Sequence, residues 1–148
     1  MKKLIFVAFA IIPSLSPAEA FAQLSLTCPS TGNLALSGQY TFVTATPAQC
    51  NLVVDNTVSS ISVTISLSNA VLNAISGSAK TDPSGTTTTA QLTYSNGGNK
   101  SVNQNASITD TFSGSSTTPM AISMQSTRPY KFFAGTYTYG VTINITSP

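Results

Sequence analysis

The chain has no histidine and no tryptophan, and only two cysteines. Without histidine there is no Ser-His triad and no Cys-His pair for nucleophilic catalysis. Acidic residues are almost as scarce. Past residue 22 the only carboxylates are Asp55, Asp82 and Asp110, far apart in sequence and each beside turn residues. Asp at a turn commonly bonds its own backbone, so no pair of carboxylates is expected for glycoside hydrolysis. Nor is there the cluster of acids that a calcium site needs, or a glycine-rich phosphate loop. No cofactor and no metal is expected. Charge is thin in both signs. Past residue 22, Lys80, Lys100, Arg128 and Lys131 face the three aspartates, a net charge of +1. That balance gives no electrostatic footprint for nucleic acid or an anionic membrane. It also provides little colloidal repulsion, which suits a chain that associates with copies of itself.

Long apolar runs are missing too. The one uninterrupted run, Leu4 to Ile12, has 9 residues, against the roughly 20 that span a bilayer. It follows the basic start Met1-Lys2-Lys3 and precedes Ala20-Phe21-Ala22, a small-x-small cleavage site. Residues 1–22 therefore read as a secretory signal peptide, and residues 23–148 as one domain with no transmembrane segment. An exported chain meets an oxidising compartment, so Cys28 and Cys50 are expected to form a disulfide. A metal or redox pair is the weaker account, with no histidine present and no C-x-x-C spacing. Closing that loop would contribute about 3 kcal/mol in the chain-entropy model.

What the chain does have is alternation. In Thr136–Thr146 the apolar residues Tyr137, Tyr139, Val141, Ile143 and Ile145 fall at every second position, with Thr, Gly and Asn between them. A period of two is a strand with one face on a core. Ile61-Ser62-Val63-Thr64-Ile65-Ser66-Leu67 repeats the pattern with β-branched residues. Shorter strands are expected at Leu24–Cys28, Tyr40–Ala45, Cys50–Val54, Ala90–Tyr94, Ala106–Phe112 and Pro119–Met124. Asn96-Gly97 marks a tight turn. Asn69–Ile75 fits a helical turn or a strand equally well. Thr86–Thr89 and Ser113–Thr118 read as low-complexity loops. About eight short strands and no long helix predict an all-β antiparallel sandwich. Near the end, Arg128, Tyr130, Lys131, Phe132 and Phe133 cluster. Tyr130, Lys131 and Phe132 form a candidate ligand surface; the blander account makes the cluster core and rim residues ahead of the last strand.

Two stretches carry a family likeness. Ala134-Gly135-Thr136-Tyr137, running into an alternating final strand, resembles the closing motif of bacterial pilin-like subunits. The nearest resemblance is to the spore coat protein U domain family and the archaic chaperone–usher pilins related to it. Leu34-Ala35-Leu36-Ser37-Gly38-Gln39-Tyr40 is similar to the segment in which that family places an apolar run, an aromatic-Gly pair and a Tyr, although Ser37 stands where the aromatic would be. The resemblance implies an incomplete immunoglobulin-like sandwich whose missing strand leaves a groove. A periplasmic chaperone fills the groove first, and another subunit's strand fills it after passage through an outer-membrane usher. On that reading Tyr137, Tyr139, Val141, Ile143 and Ile145 line the pairing edge. Leu24 and Leu26 are the candidate donor residues, although only about five residues separate the cleavage site from Cys28. The expected product is a non-catalytic subunit of a surface fibre or coat. It would travel through the periplasm to the cell surface, partner other copies or related subunits, and serve adhesion or biofilm formation. A self-complete secreted adhesin or carbohydrate-binding module is the alternative.

Overall fold

The computed structural model describes residues 4–11, 23–55, 60–77 and 82–147. The proposed cleavage site, and Asn56 after the fifth strand, lie outside them. Among the described residues twelve strands run in chain order: β1 Leu4–Ile11, β2 Gln23–Ser30, β3 Asn33–Leu36, β4 Thr41–Thr46, β5 Ala48–Asp55, β6 Ile61–Leu67, β7 Val71–Gly77, β8 Thr87–Ser95, β9 Asn99–Asn103, β10 Ala106–Phe112, β11 Ser116–Thr127 and β12 Gly135–Thr146. The described residues contain no helix. The architecture is an all-β, immunoglobulin-like sandwich, antiparallel apart from β1.

In the seven-stranded sheet, β11 is the spine. One edge of β11 pairs with β5 over Ser116–Ile122 and with β4 over Gln125–Thr127. The other edge takes β8, which in turn carries β9. Strands β2 and β3 close the far side as partners of β5 and β4. Between β4 and β5 stands Pro47, where the ladder to β11 is interrupted. There the Thr44 hydroxyl substitutes for a backbone partner. It accepts from Met124 N–H at 2.7 Å and donates to the Met124 carbonyl at 2.9 Å. Pro119 sits inside β11, where proline is normally excluded because it donates no ladder bond. It pairs with Asn51 of β5, and β8 joins only from Met120 onward, so at Pro119 the strand still has a single neighbour.

In the five-stranded sheet, β12 is the centre. Strands β6 and β7 run end to end along one of its edges, and β10 flanks β6. At the junction of β6 and β7, Ser68 N–H donates to the Thr142 carbonyl, while the Ser68 hydroxyl accepts from Thr142 N–H at 2.8 Å. Of the ambiguous stretch Asn69–Ile75, the residues from Val71 on are strand, because β12 supplies an antiparallel partner from Gly135 to Gly140; Asn69 and Ala70 lie in the link from β6.

The sequence expectations hold for β2, β4, β5, β6, β8, β10, β11 and β12, with differences at their ends. The threonine runs are loops only at Thr86 and Ser113–Ser115. Thr87–Thr89 belong to β8 and Ser116–Thr118 to β11, since β-branched threonine fits an extended ladder once a partner is present. At the Asn96-Gly97 turn the positive φ values fall on Gly97 and Gly98, and Asn96 is spared.

The core lies between the sheets. β12 contributes Tyr137, Tyr139, Val141, Ile143 and Ile145, all essentially inaccessible. Facing them are Phe42, Leu52, Val54, Leu92, Met120 and Ile122. Burying each large apolar side chain contributes roughly 1.5–3 kcal/mol. Cys28 and Cys50 are joined as expected, tying β2 to β5 where their register shifts. On one flank the sandwich is closed by continuous chain, for β9 passes through Gln104-Asn105 into β10 of the other sheet. Asn105 takes φ 58° there, a left-handed conformation asparagine tolerates, and donates its N–H to the Leu67 carbonyl at 2.7 Å. On the opposite flank the covering strand is β1.

Candidate assembly edge

β12 is the strand that its sheet flanks on both sides, and its alternation explains why. One row of its side chains belongs to the core, while its backbone must find partners on both sides. Strands β6 and β7 satisfy one side. The other is taken by β1, which pairs in parallel from Leu4 opposite Tyr137 to Ile11 opposite Asn144. β1 also approaches β3 and β2 of the second sheet, so it lies across the mouth of the sandwich. This strand comes from the stretch that reads as a leader. The reason is physical: Leu4–Ile11 is uncharged, apolar and rich in β-favouring Ile, Val and Phe, as an edge beside a core requires.

The sequence-derived site residues are distributed as follows. Tyr137, Tyr139, Val141, Ile143 and Ile145 all lie on β12; the first four stand opposite β1, and Ile145 lies past its end, opposite Ile65 of β6. Leu24 and Leu26 correct an expectation. They are not in a free extension but in β2, opposite Val54 and Leu52, and Leu26 is buried. Their apolar character serves the chain's own core, because β5 lacks any other outer neighbour at those positions. Of the candidate ligand surface, Tyr130 and Lys131 are exposed, but Phe132 is 4% exposed and belongs to the core. Its ring packs 3.9 Å from Phe42 and 5.3 Å from Tyr137. The neighbour that does share the exterior with Tyr130 is Phe133, 60% exposed. The loop that carries them is held against the β3–β4 turn. Arg128 N–H donates to the Tyr40 carbonyl, and Phe132 N–H to that of Gln39.

Sequence reasoning missed the polar cluster behind this loop. Arg128 is buried, and its Nε donates to Asp82 Oδ1 at 2.9 Å, with Nη2 on the same oxygen. The guanidinium lies over Phe132 at 4.4 Å and Tyr137 at 4.7 Å. Tyr139 OH donates to Asp82 Oδ1 and shares a hydrogen bond with the Ser126 hydroxyl. Burial pushes the Tyr139 hydroxyl above its ordinary value, and the Asp82 charge adds to that against the pull of Ser126 and Arg128. The setting of Asp82 suggested a bond to its own turn; among the described residues its partners are Arg128 and Tyr139. Asp55 likewise accepts from the Ser115 hydroxyl. A scarcity of charge was the only available hint, since the single Arg of so neutral a chain has only three carboxylates past residue 22 to pair with.

A second cluster forms around Asp110. It accepts from Thr111 N–H, Asn96 Nδ2 and Tyr94 OH, with Lys100 Nζ at 4.0 Å. Burial pushes the Asp110 carboxyl up, but the Asn96, Thr111 and Tyr94 hydrogen bonds and the Lys100 charge outweigh it and leave it below the usual range. Burial, then the Asp110 charge and hydrogen bond, push Tyr94 up to about 12. A raised folded-state value means that Tyr94 contributes stability in full below its ordinary value of 10.0. Denaturation curves are accordingly expected to show stability falling as pH rises from about 10 to about 12, with Tyr94→Phe removing that contribution. For Asp110 the sign reverses: its contribution is present above the ordinary carboxylate value and is lost as pH falls through the depressed one.

Among the described residues no three acidic or thiol groups converge where a cation could sit. The fold and edge together define an all-β, disulfide-bonded sandwich with an inserted first strand. No protein-family profile matches the chain, and no curated protein matches it.

Proposed function

We propose that this chain is a non-catalytic structural subunit of a bacterial surface fibre or coat, exported with loss of residues 1–22 and assembled by β-strand complementation. One observation carries the reading: the partner of the β12 edge is drawn from the leader stretch itself. Loss of that stretch uncovers backbone groups from Tyr137 to Asn144 beside an apolar core, an arrangement that demands a replacement strand. A periplasmic chaperone supplies the replacement in transit and another subunit supplies it in the fibre, after passage through an outer-membrane usher. The disulfide fits an exported chain. Adhesion or biofilm formation is the role that such a fibre serves.

The test uses the product exported from the full chain. A synthetic peptide copying residues 4–11, made soluble by terminal lysines, is expected to bind it and to protect the β12 amides from hydrogen exchange. At a hundredfold excess over Kd it should raise stability by about 2.7 kcal/mol. A product whose β12 amides are protected without any partner, and which ignores the peptide, overturns the proposal. A second reading, a self-complete adhesin or carbohydrate-binding module, has one observation in its favour: Tyr130 and Phe133 are 67% and 60% exposed on a hydrogen-bonded loop. That version predicts lost ligand binding in Tyr130→Ala/Phe133→Ala with the peptide ignored.

A further inference from the structure

We infer that the processed chain receives a strand but has none to give from its amino-terminal segment, so that it occupies one end of any assembly it joins. The inference rests on the reading just proposed and narrows the partner from another copy of this chain to a different polypeptide. A donor needs an apolar segment with free backbone outside its own fold. Processing after Ala22 makes Gln23 the first residue, and Gln23 is already the register partner of Asp55. Ser25 and Thr27 follow opposite Val53 and Asn51, and Leu24 and Leu26 face Val54 and Leu52. Cys28 then ties the strand to Cys50. Pulling Gln23–Thr27 out to serve a neighbour would strip β5 of its outer partner and uncover Leu52 and Val54, both fully buried. The disulfide would meanwhile keep the end of the segment on its own domain. The segment that does suit an acceptor edge is Leu4–Ile11, eight uncharged apolar residues, and it departs with the leader.

The partner is therefore specified by chemistry. It is a separate chain presenting an extended strand of about eight residues, apolar throughout and without charge, long enough to follow β12 from Tyr137 to Asn144. Uptake of one such strand saturates the molecule, and no second edge of the same kind is created by it. In a mixture with a subunit that both gives and receives strands, this chain ends the polymer at the point where it binds.

The experiment again starts from the full chain, exported and processed in a bacterial host. The purified product is expected to stay free of detergent-resistant multimers and of fibres by electron microscopy, alone and at high concentration. It should take up the residue 4–11 peptide at one per chain. In a second variant a copy of residues 4–11 is placed between the cleavage site and Gln23 through a two-residue join. Two residues replace the eleven, 12–22, that link β1 to β2 in the chain, so the graft is held far more tightly than β1 and is biased toward a neighbour's edge. This variant is expected to give a ladder of multimers. Fibres or ladders from the unmodified product overturn the inference and leave strand complementation standing. Peptide uptake without multimers in the graft also overturns it, since a supplied donor then fails to create one. A monomer that ignores the peptide and protects β12 unaided removes the underlying reading and the inference with it.

Discussion

Replacing Arg128 by alanine is expected to cost about 3–5 kcal/mol of stability, read as a shift in the midpoint of chemical denaturation. The magnitude follows from what the side chain does. Arg128 is buried, it is the partner of Asp82, and it lies over the rings of Phe132 and Tyr137. Truncation leaves the Asp82 carboxylate without its cation while Tyr139 still points a hydroxyl at it. It also removes a cation from two aromatic faces, at about 0.5–2 kcal/mol each depending on desolvation. Arg128→Lys should recover little, because an ammonium cannot place two N–H donors on Asp82 while stacking flat on a ring. The informative variant is Arg128→Met combined with Asp82→Asn. Removing both charges leaves neither ion stranded, and the double change is expected to be milder than Arg128→Ala alone. If Arg128→Ala unfolds no more easily than the parent, the cluster does not hold the loop from Arg128 to Phe133.

That cluster also marks what could not be read from the residues in order. Asp82 and Arg128 are 46 positions apart, and nothing in the local pattern of either announces the other. β12 was legible because its whole signal is local: five apolar residues at a strict period of two need no partner to be recognised. β6 was legible for the same reason, and the disulfide because the chain has only two cysteines. Asn99–Asn103 was not, since its one buried apolar residue, Val102, offers no alternation to count. The threonine-rich ends of β8 and β11 failed differently. Their composition matches a loop, and only pairing turns them into ladder: Thr87–Thr89 with the end of β11, and Ser116–Thr118 with β5. Leu24 and Leu26 were recognised as strand residues but given the wrong neighbour, because a period of two says which face is apolar and not whose core it meets. The pairing of Leu4–Ile11 with β12 is the furthest from any sequence rule. A leader's apolar core and a buried strand draw on the same residues, and composition alone cannot tell them apart.

The remaining large effect is expected at Gly135, the glycine of the Ala134-Gly135-Thr136-Tyr137 motif. Here β12 begins, with Gly135 opposite Gly77 and Thr136 opposite Ser76. A methyl group at Gly135 would collide with the Ser76 carbonyl oxygen, and one at Gly77 would come within 2.8 Å of the Ala134 carbonyl oxygen. Both obstacles are backbone, so no side chain can swing aside. Gly135→Ala must therefore push β7 and β12 apart at the level that seats Tyr137. Its ring packs against Phe42 and Phe132, and its hydroxyl donates to the Phe133 carbonyl. Overpacking ordinarily costs about 1–3 kcal/mol. A backbone collision that also displaces a buried tyrosine is expected at or above the top of that range. Gly97→Ala is the control. Gly97, unlike Gly135, has a positive φ, 63°, but a methyl there meets nothing within 4 Å, so only the left-handed backbone penalty of about 1–2 kcal/mol applies. Thermal denaturation of the two variants should rank Gly135→Ala well below Gly97→Ala. In Gly135→Ala, hydrogen exchange should quicken first at Gly135–Gly140, the residues that pair with β7. Equal melting temperatures would mean that the motif's glycine is not there to let two backbones meet.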